Sequence, residues 1–353
     1  IQDELKNSEK NNLVTFITEG SIHYLSKIMD LGSLIKKNEP IYEIYCEHLI
    51  NKSKTILSFN DYQNTKLGKI VSNMEFDKFL DREISKRSDF ISLITNQKKL
   101  PKLNSTSIEF IDDNHKEYSS KLLFYSSVKS NNSITKNFDF VKKEIDEIAL
   151  SIDVNVDRLK KNIAYQIFTE EGPLALLPIS CNEASIVWSL KRTSTYLNLN
   201  HEDLENTLNN FFKDHVSKLN IVKINKFNLE FSYAKKLYHD KCILIGNIAH
   251  NIHPIAGQGL NLTVKDVASI ISYLNKYRSI GLDFSSKQVL EDFSNNRKFD
   301  NFVFSFGTLA MENIFSSKNR IIRKLTSKSL QVVNRSQSMK KFFIDKAKAK
   351  NKF

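Results

Sequence analysis

The residues best suited to chemistry lie in one run, from Cys242 to Asn261. Cys242-Ile243-Leu244-Ile245 is wholly apolar and short, the pattern of a fully buried parallel strand. It ends at Gly246-Asn247, where a side-chain amide can bond a polar ligand at a strand's carboxyl edge. Open α/β sheets bind ligands at that edge. In His253-Pro254 the proline biases His253 towards an extended backbone. Gly257-Gln258-Gly259 then lets the main chain come close to another group, directly before a predicted helix, Leu260 to Tyr277. A helix start offers free N–H groups and the positive end of the helix dipole, so it stabilises negative charge. A ring system that gains negative charge on reduction, as an isoalloxazine does at N1–C2=O, would suit that position. The same residues also fit an ordinary glycine-bearing loop, with His250 and His253 as loop histidines. On the residues alone both readings stand.

Glycine and proline are scarce, at nine and five in 353 residues, so their placement is informative. Three of the glycines fall between 246 and 259. Two prolines, Pro173 and Pro178, bracket one short apolar run. The elements that must position these residues follow from periodicity. Gly20 to Ile35 reads as one helix. Ile41 to Cys46, Lys54 to Phe59 and Lys69 to Ser72 read as strands, followed by a helix from Met74 to about Arg87. Phe90 to Thr95 is a further strand. Ser107 to Ile111 and Ser120 to Tyr125 flank the polar turn Asp112-Asp113-Asn114 as a hairpin. From Phe138 to Ser189 strands dominate, with Ile148 to Ile152, Ala164 to Phe168, Leu174 to Ile179 and Ala184 to Leu190 the clearest. A helix at His201 to His215 carries Glu202 and Asp203 in its first turn, as a helix start favours. Phe227 to Tyr233 is another strand. Beyond Tyr277 the chain reads as helical.

The apolar fraction, 41%, supports a sizeable core. No apolar run approaches the roughly 18 residues of a membrane span. Three unclustered cysteines, Cys46, Cys181 and Cys242, suit neither a disulfide framework nor a zinc site. We read them as small core residues in a reduced, cytoplasmic setting. The net charge of +12 comes from lysines spread along the whole chain, without a nucleic-acid-binding motif, so nucleic acid is not expected as a partner. The C-terminal run Lys340-Lys341-Phe342-Phe343-Ile344, followed by Lys346, Lys348, Lys350 and Lys352, mixes apolar and cationic residues. It suggests weak peripheral contact with an anionic membrane, such as the inner membrane.

The run His253-Pro254-Ile255-Ala256-Gly257-Gln258-Gly259-Leu260-Asn261, continued to Asp266, resembles the signature of the UbiH/UbiF/VisC family of FAD hydroxylases of ubiquinone biosynthesis. One defined position departs, with Thr263 where that family has Gly. Gly246-Asn247-Ile248-Ala249-His250 is similar to the family's Gly-Asp/Asn-Ala-Ala-His, which contacts the ribityl and pyrophosphate region. Glu171 to Pro178 with Ser185 to Trp188 resembles its substrate-sheet motif. Gly20-Ser21, Pro40-Ile41, Val71-Ser72-Asn73, Arg297, Asp300 and Phe315-Ser316 extend the likeness more weakly over nearly the whole chain.

That resemblance implies a mixed α/β (α+β) fold: a Rossmann-like FAD/NAD(P)-binding domain interleaved with an antiparallel substrate sheet, and a helical C-terminus. The flavin domain would take residues 1–39, 63–136 and 236–300, the sheet 40–62 and 137–235, and the last helices 301–353. It implies an FAD-dependent monooxygenase that uses NAD(P)H and O2. A flavin C4a-hydroperoxide would hydroxylate a polyprenylated phenol, in company with other ubiquinone-biosynthesis proteins. Cofactor contacts would come from Gly246, Asn247, His253, Pro254, Gly257, Gln258, Gly259, Leu260 and Asn261, with His253 and Pro254 near the reaction face. No side-chain nucleophile or metal is required. Leu176 and Ile186 could face the prenyl chain or belong to the core.

Two departures stand against the family pattern. Its opening strand, Gly-x-Gly-x-x-Gly loop and helix are absent, and its early Arg is replaced at about Leu13. The first residue is Ile1 rather than Met, and we expect the missing elements upstream. Lys129-Ser130 replaces the family's Asp-Gly pair, although Ser133 and Lys136 keep the flanking pattern. The alternative is a flavin-deficient homologue acting as a scaffold or lipid-binding subunit. A flavin reductase acting on isoprenoid double bonds shares the architecture, but the His-Pro-x-x-Gly-Gln-Gly-x-Asn run points away from it.

Overall fold

The computed structural model describes residues 13–36, 38–50, 53–60, 66–90, 101–104, 106–126, 134–252, 257–315, 317 and 319–341. In chain order the first elements are β1 (Val14–Thr18), α1 (Glu19–Leu25), α2 (Gly32–Ile35), β2 (Pro40–Ile41), β3 (Glu43–Ile50), β4 (Ser53–Asn60), β5 (Gly68–Ser72) and α3 (Asn73–Ser85). The short strands β6 (Lys102–Leu103), β7 (Ile108–Ile111), β8 (Glu117–Ser120) and β9 (Leu123–Tyr125) follow. The central part holds β10 (Phe140–Asp157), β11 (Ile163–Thr169), β12 (Gly172–Pro178), β13 (Glu183–Lys191), α4 (His201–Phe212) and β14 (Lys218–Ala234). Last come β15 (Tyr238–His239), β16 (Cys242–Leu244), β17 (His250–Asn251), α5 (Gly259–Ser279), α6 (Lys287–Phe315) and α7 (Arg320–Arg335).

Eight strands form one sheet in the order β17-β14-β10-β13-β12-β11-β3-β4. It is antiparallel except where β3 runs parallel to β11. Its inward face carries alternate residues, as a half-buried strand requires. Leu150, Ile152, Val154, Leu174, Leu176, Ile186 and Trp188 pack there with Leu204, Leu208 and Phe212 of α4. Leu176 and Ile186 have no exposed surface, so both belong to this core rather than to a substrate channel. Two three-stranded sheets, β1-β5-β2 and β15-β16-β9, flank α5. As expected, β16 is fully buried and parallel, with β9 as its parallel partner.

Several expectations are corrected. The single helix over Gly20 to Ile35 is two helices, because the Asp30 carboxylate accepts from Gly32 N at 2.8 Å and starts a new one. The second hairpin strand splits: Glu117–Ser120 pairs with β7, while Leu123–Tyr125 leaves to join β16. The strands at Ile148 to Ile152 and Phe227 to Tyr233 belong to much longer ones, β10 and β14. Cys46 and Cys242 are buried, but Cys181 is exposed in the turn between β12 and β13. The run Phe90 to Thr95, beyond Phe90 itself, and the tail from Phe342 onwards lie outside the described residues. So do Lys129, Ser130 and Ser133.

Candidate functional site

The run from Cys242 to Asn261 joins the two sheet systems. β16 ends where Ile245 N donates to Tyr125 O at 3.0 Å. Gly246 then turns the chain with φ +77°, in the left-handed region that a side chain disfavours. A Cβ added there would meet nothing within 4 Å, so the turn borders open space. Asn247 is exposed beside it. Ala249 returns to the large sheet, its carbonyl accepting from Ala234 N at 2.9 Å, and His250–Asn251 pairs with Ser232 and Tyr233. His253 and Pro254 lie outside the described residues.

The chain re-enters at Gly257, whose φ is +58°. An added Cβ there would lie 3.6 Å from Phe16, so β1 backs the loop closely. No side chain caps the start of α5 at Gln258. The first-turn N–H groups are therefore left for another acceptor, as at any uncapped helix start. Gly259 has open space where its Cβ would be. Gln258, Gly259 and Leu260 are half-buried.

Asn261 faces the other way. Its side chain is 1% exposed. Nδ2 donates to Phe16 O at 2.7 Å and Gly257 O at 3.3 Å, and Oδ1 accepts from Thr18 N at 2.9 Å. This amide ties the loop and α5 to β1. It shapes the site, while its own polar atoms are occupied by protein.

Beneath the site lies a buried ionic cluster. Asp266 of α5 is fully buried; its Oδ2 is 2.6 Å from His250 Nε2 and its Oδ1 accepts from Arg297 Nε at 2.7 Å. Arg297 also donates to Asp300 and Asn301, both at 2.9 Å. Asn301 Nδ2 lies 3.2 Å and 3.3 Å from the two Asp266 oxygens. Burial alone would push the Asp266 carboxyl up, but the bond and charge of His250 and then Arg297 outweigh it and hold it below the ordinary value of 3.8. With Nε2 against a carboxylate, that nitrogen carries the proton. Nδ1 of His250 is buried without a hydrogen-bond partner. The cluster therefore fastens α6 to both segments of the loop. None of its polar groups except the motif's Asp266 and His250 lies within the run singled out from sequence. Arg297, Asp300 and Asn301 sit on one face of α6 at spacings of three and four, which is the available signal.

Among the described residues no group of side chains could hold a metal ion, and no helix is long and apolar enough to cross a membrane.

Residues 131–279 match the FAD binding domain family. The chain is 30% identical over 192 residues to 3-demethoxyubiquinol 3-hydroxylase of Escherichia coli (strain K12), covering 54% of this chain and 49% of that protein. It is 27% identical over 201 residues to the ubiquinone hydroxylase UbiL of Rhodospirillum rubrum, covering 56% and 47%. The chain thus spans about half the length of the curated relatives it matches. In structure it is similar to p-nitrophenol 4-monooxygenase PnpA from Pseudomonas putida DLL-E4, with TM-score 0.73 and 12% identity over 97% of this chain and 90% of that one. Residues 131–279 thus carry the match to the FAD binding domain, and over about half of its length the chain is similar to FAD-dependent hydroxylases of ubiquinone biosynthesis.

Proposed function

We propose that this chain binds FAD at the Gly246 turn and the start of α5, and serves an enzyme that hydroxylates the aromatic ring of a polyprenylated phenol. NAD(P)H is the electron donor and O2 the oxygen source. One observation carries the reading: an uncapped helix start, reached through Gly257 and Gly259, follows in the chain the open Gly246 turn at the carboxyl end of a buried parallel strand. That is where an α/β protein receives a ligand that carries or gains negative charge.

The residues present fit the cofactor on this side. Space lies beside Gly246 and Gly259, where a Cβ would meet no atom within 4 Å. Gly246, Asn247, Gly257, Gln258, Gly259 and Leu260 would hold the group, with His253 and Pro254 completing the loop between them. FAD, when bound, supplies the redox and oxygen-transfer chemistry. The N–H groups of α5 stabilise negative charge placed before them. The exposed Asn247 amide is free to bond a ligand hydroxyl. Asn261 holds the helix start against β1, and the cluster of Asp266, His250 and Arg297 fixes the loop's two ends.

The test is titration of the protein with FAD, followed by flavin fluorescence and the visible spectrum, then NAD(P)H consumption coupled to hydroxylation of a prenylated phenol. Saturable binding that Gly259→Val weakens supports the reading. A protein that remains folded and leaves the flavin spectrum unchanged overturns it. The second reading, a flavin-deficient scaffold or lipid-binding subunit, is favoured by Lys129-Ser130 in place of Asp-Gly. It would then take over.

A further inference from the structure

Away from the flavin-side loop, at the amino end of β16, six lysines converge on one hollow of about 740 Å³: Lys136, Lys235, Lys236, Lys241, Lys287 and Lys298. All but Lys241 are exposed. Lys241 donates to Ser285, and Lys236 lies 4.8 Å over the Tyr238 ring. None of the six forms an ion pair among the described residues. Only two acids line the hollow, Asp139 and Asp240, and the latter lies against His239 at 3.4 Å. Six lysines against two acids leave the hollow with excess positive charge, so it favours an anionic partner.

The hollow runs on into a second, apolar one. Lys235 and Lys298 line both. The second is built on α6, where Asn295, Phe299, Phe302 and Phe306 recur at helical spacing beside Val141 and Tyr233. Phe299 is 73% exposed, and Phe302 and Val303 are exposed beside it. An exposed aromatic stripe of this kind marks a contact surface rather than scattered surface residues.

We propose that this combined face docks on an anionic phospholipid membrane. A bilayer surface is the partner that satisfies both halves at once. Headgroup phosphates meet the lysines, and the protruding phenyl rings enter the interface below them. A small soluble anion would occupy the hollow but leave the Phe299 stripe in water. A second copy of the chain, paired face to face, would bring the two lysine clusters against each other. None of the residues proposed to hold the flavin lines this surface, and the inference does not rest on the flavin reading.

The test is flotation of the protein with vesicles of phosphatidylcholine alone and of phosphatidylcholine with phosphatidylglycerol. Variants are Lys235→Glu with Lys298→Glu, Phe299→Ser with Phe302→Ser, and a remote control, Lys160→Glu with Lys161→Glu. Far-UV circular dichroism checks that each is folded. The expected result is binding to the anionic vesicles only, released by salt. Each of the first two variants should bind about tenfold more weakly or worse, since one lysine near an anionic surface is worth roughly a fivefold change. The control should bind like the parent. Four results overturn the proposal: no binding of the parent to anionic vesicles; binding of the face variants as tight as the parent's; binding lost only when Lys346, Lys348, Lys350 and Lys352 are replaced by Ser, which assigns it to the tail; and binding of inorganic pyrophosphate, abolished by Lys235→Glu with Lys298→Glu, without binding of vesicles, which makes the hollow a soluble-anion site.

Discussion

The large sheet and the strand-loop-helix segment around Gly246 and Gly257 are held together by different physics. The sheet core is apolar side chains packed in alternation, with Trp188, Leu174, Leu176 and Ile186 completely buried. The loop segment is held by polar groups at fixed distances: Asn261 on β1, and Asp266 between His250 and Arg297. Apolar packing tolerates small shape changes, because many weak contacts share the load. A buried ionic cluster does not, because removing one member leaves an uncompensated charge. The sheet should therefore set stability, and the loop segment should set both stability and ligand geometry.

The strongest test of that contrast pairs two large losses. Trp188→Ala should cost about 3–5 kcal/mol in urea unfolding, yet leave FAD affinity of the folded fraction unchanged. Arg297→Leu should cost a similar 3–5 kcal/mol, by stranding Asp266, and should also weaken FAD binding. If both variants change affinity equally, the distinction between the regions is lost. A smaller effect is expected from Asn261→Ala, about 1–3 kcal/mol, because buried groups of Phe16 and Thr18 lose their partner. There the change in FAD affinity should exceed that for a sheet variant of equal stability loss. Gly257→Ala should cost about 1–2 kcal/mol, from a side chain in the left-handed region, with its effect concentrated on flavin binding.

The last test is by pH. The Asp266 carboxyl is held below its ordinary value, so its charged form stabilises the fold fully above about 3.8. That contribution is lost as pH falls through the depressed folded value. The gap in urea midpoint between the parent and Asp266→Asn should be constant near neutrality and narrow only below the ordinary value. A gap that closes at higher pH would mean that the carboxylate is not held by this cluster.

Much of the sheet was legible because short apolar runs are local. The runs 164–168 and 184–190 lie within β11 and β13, which are buried at nearly every residue, and 174–179 overruns β12 by one residue. β10 reads short because Lys142, Lys143 and Glu144 are exposed at its start and a register shift between Glu144 and Ile148 interrupts the pattern. β14 reads short because lysines and asparagines occupy its solvent face. In the site, the buried strand, the glycine loop and the helix start were legible, since each is written in adjacent residues. The role of Asn261 was not. Its partners Phe16 and Thr18 lie more than two hundred residues away, and no local period encodes them. That Arg297 and Asn301 of α6 would meet Asp266 was hidden for the same reason, although the family likeness had drawn in Arg297. Acidic and basic residues on a helix usually face water, and only the fold brings these inside.

The parallel pairing of β3 with β11 bears on how the protein is made. Leaving the ribosome at roughly 5–20 residues per second, the hairpin of β3 and β4 waits on the order of ten seconds for β11 to appear. The opposite edge of that hairpin waits longer still, since Ser58 N on β4 finds Asn334 only when α7 arrives. During that interval two open strand edges face the cell, each able to recruit the wrong partner. Such long-range closure folds slowly. Production of this protein should accordingly depend on translation speed and on chaperones that shield nascent strands, more than its finished stability would suggest.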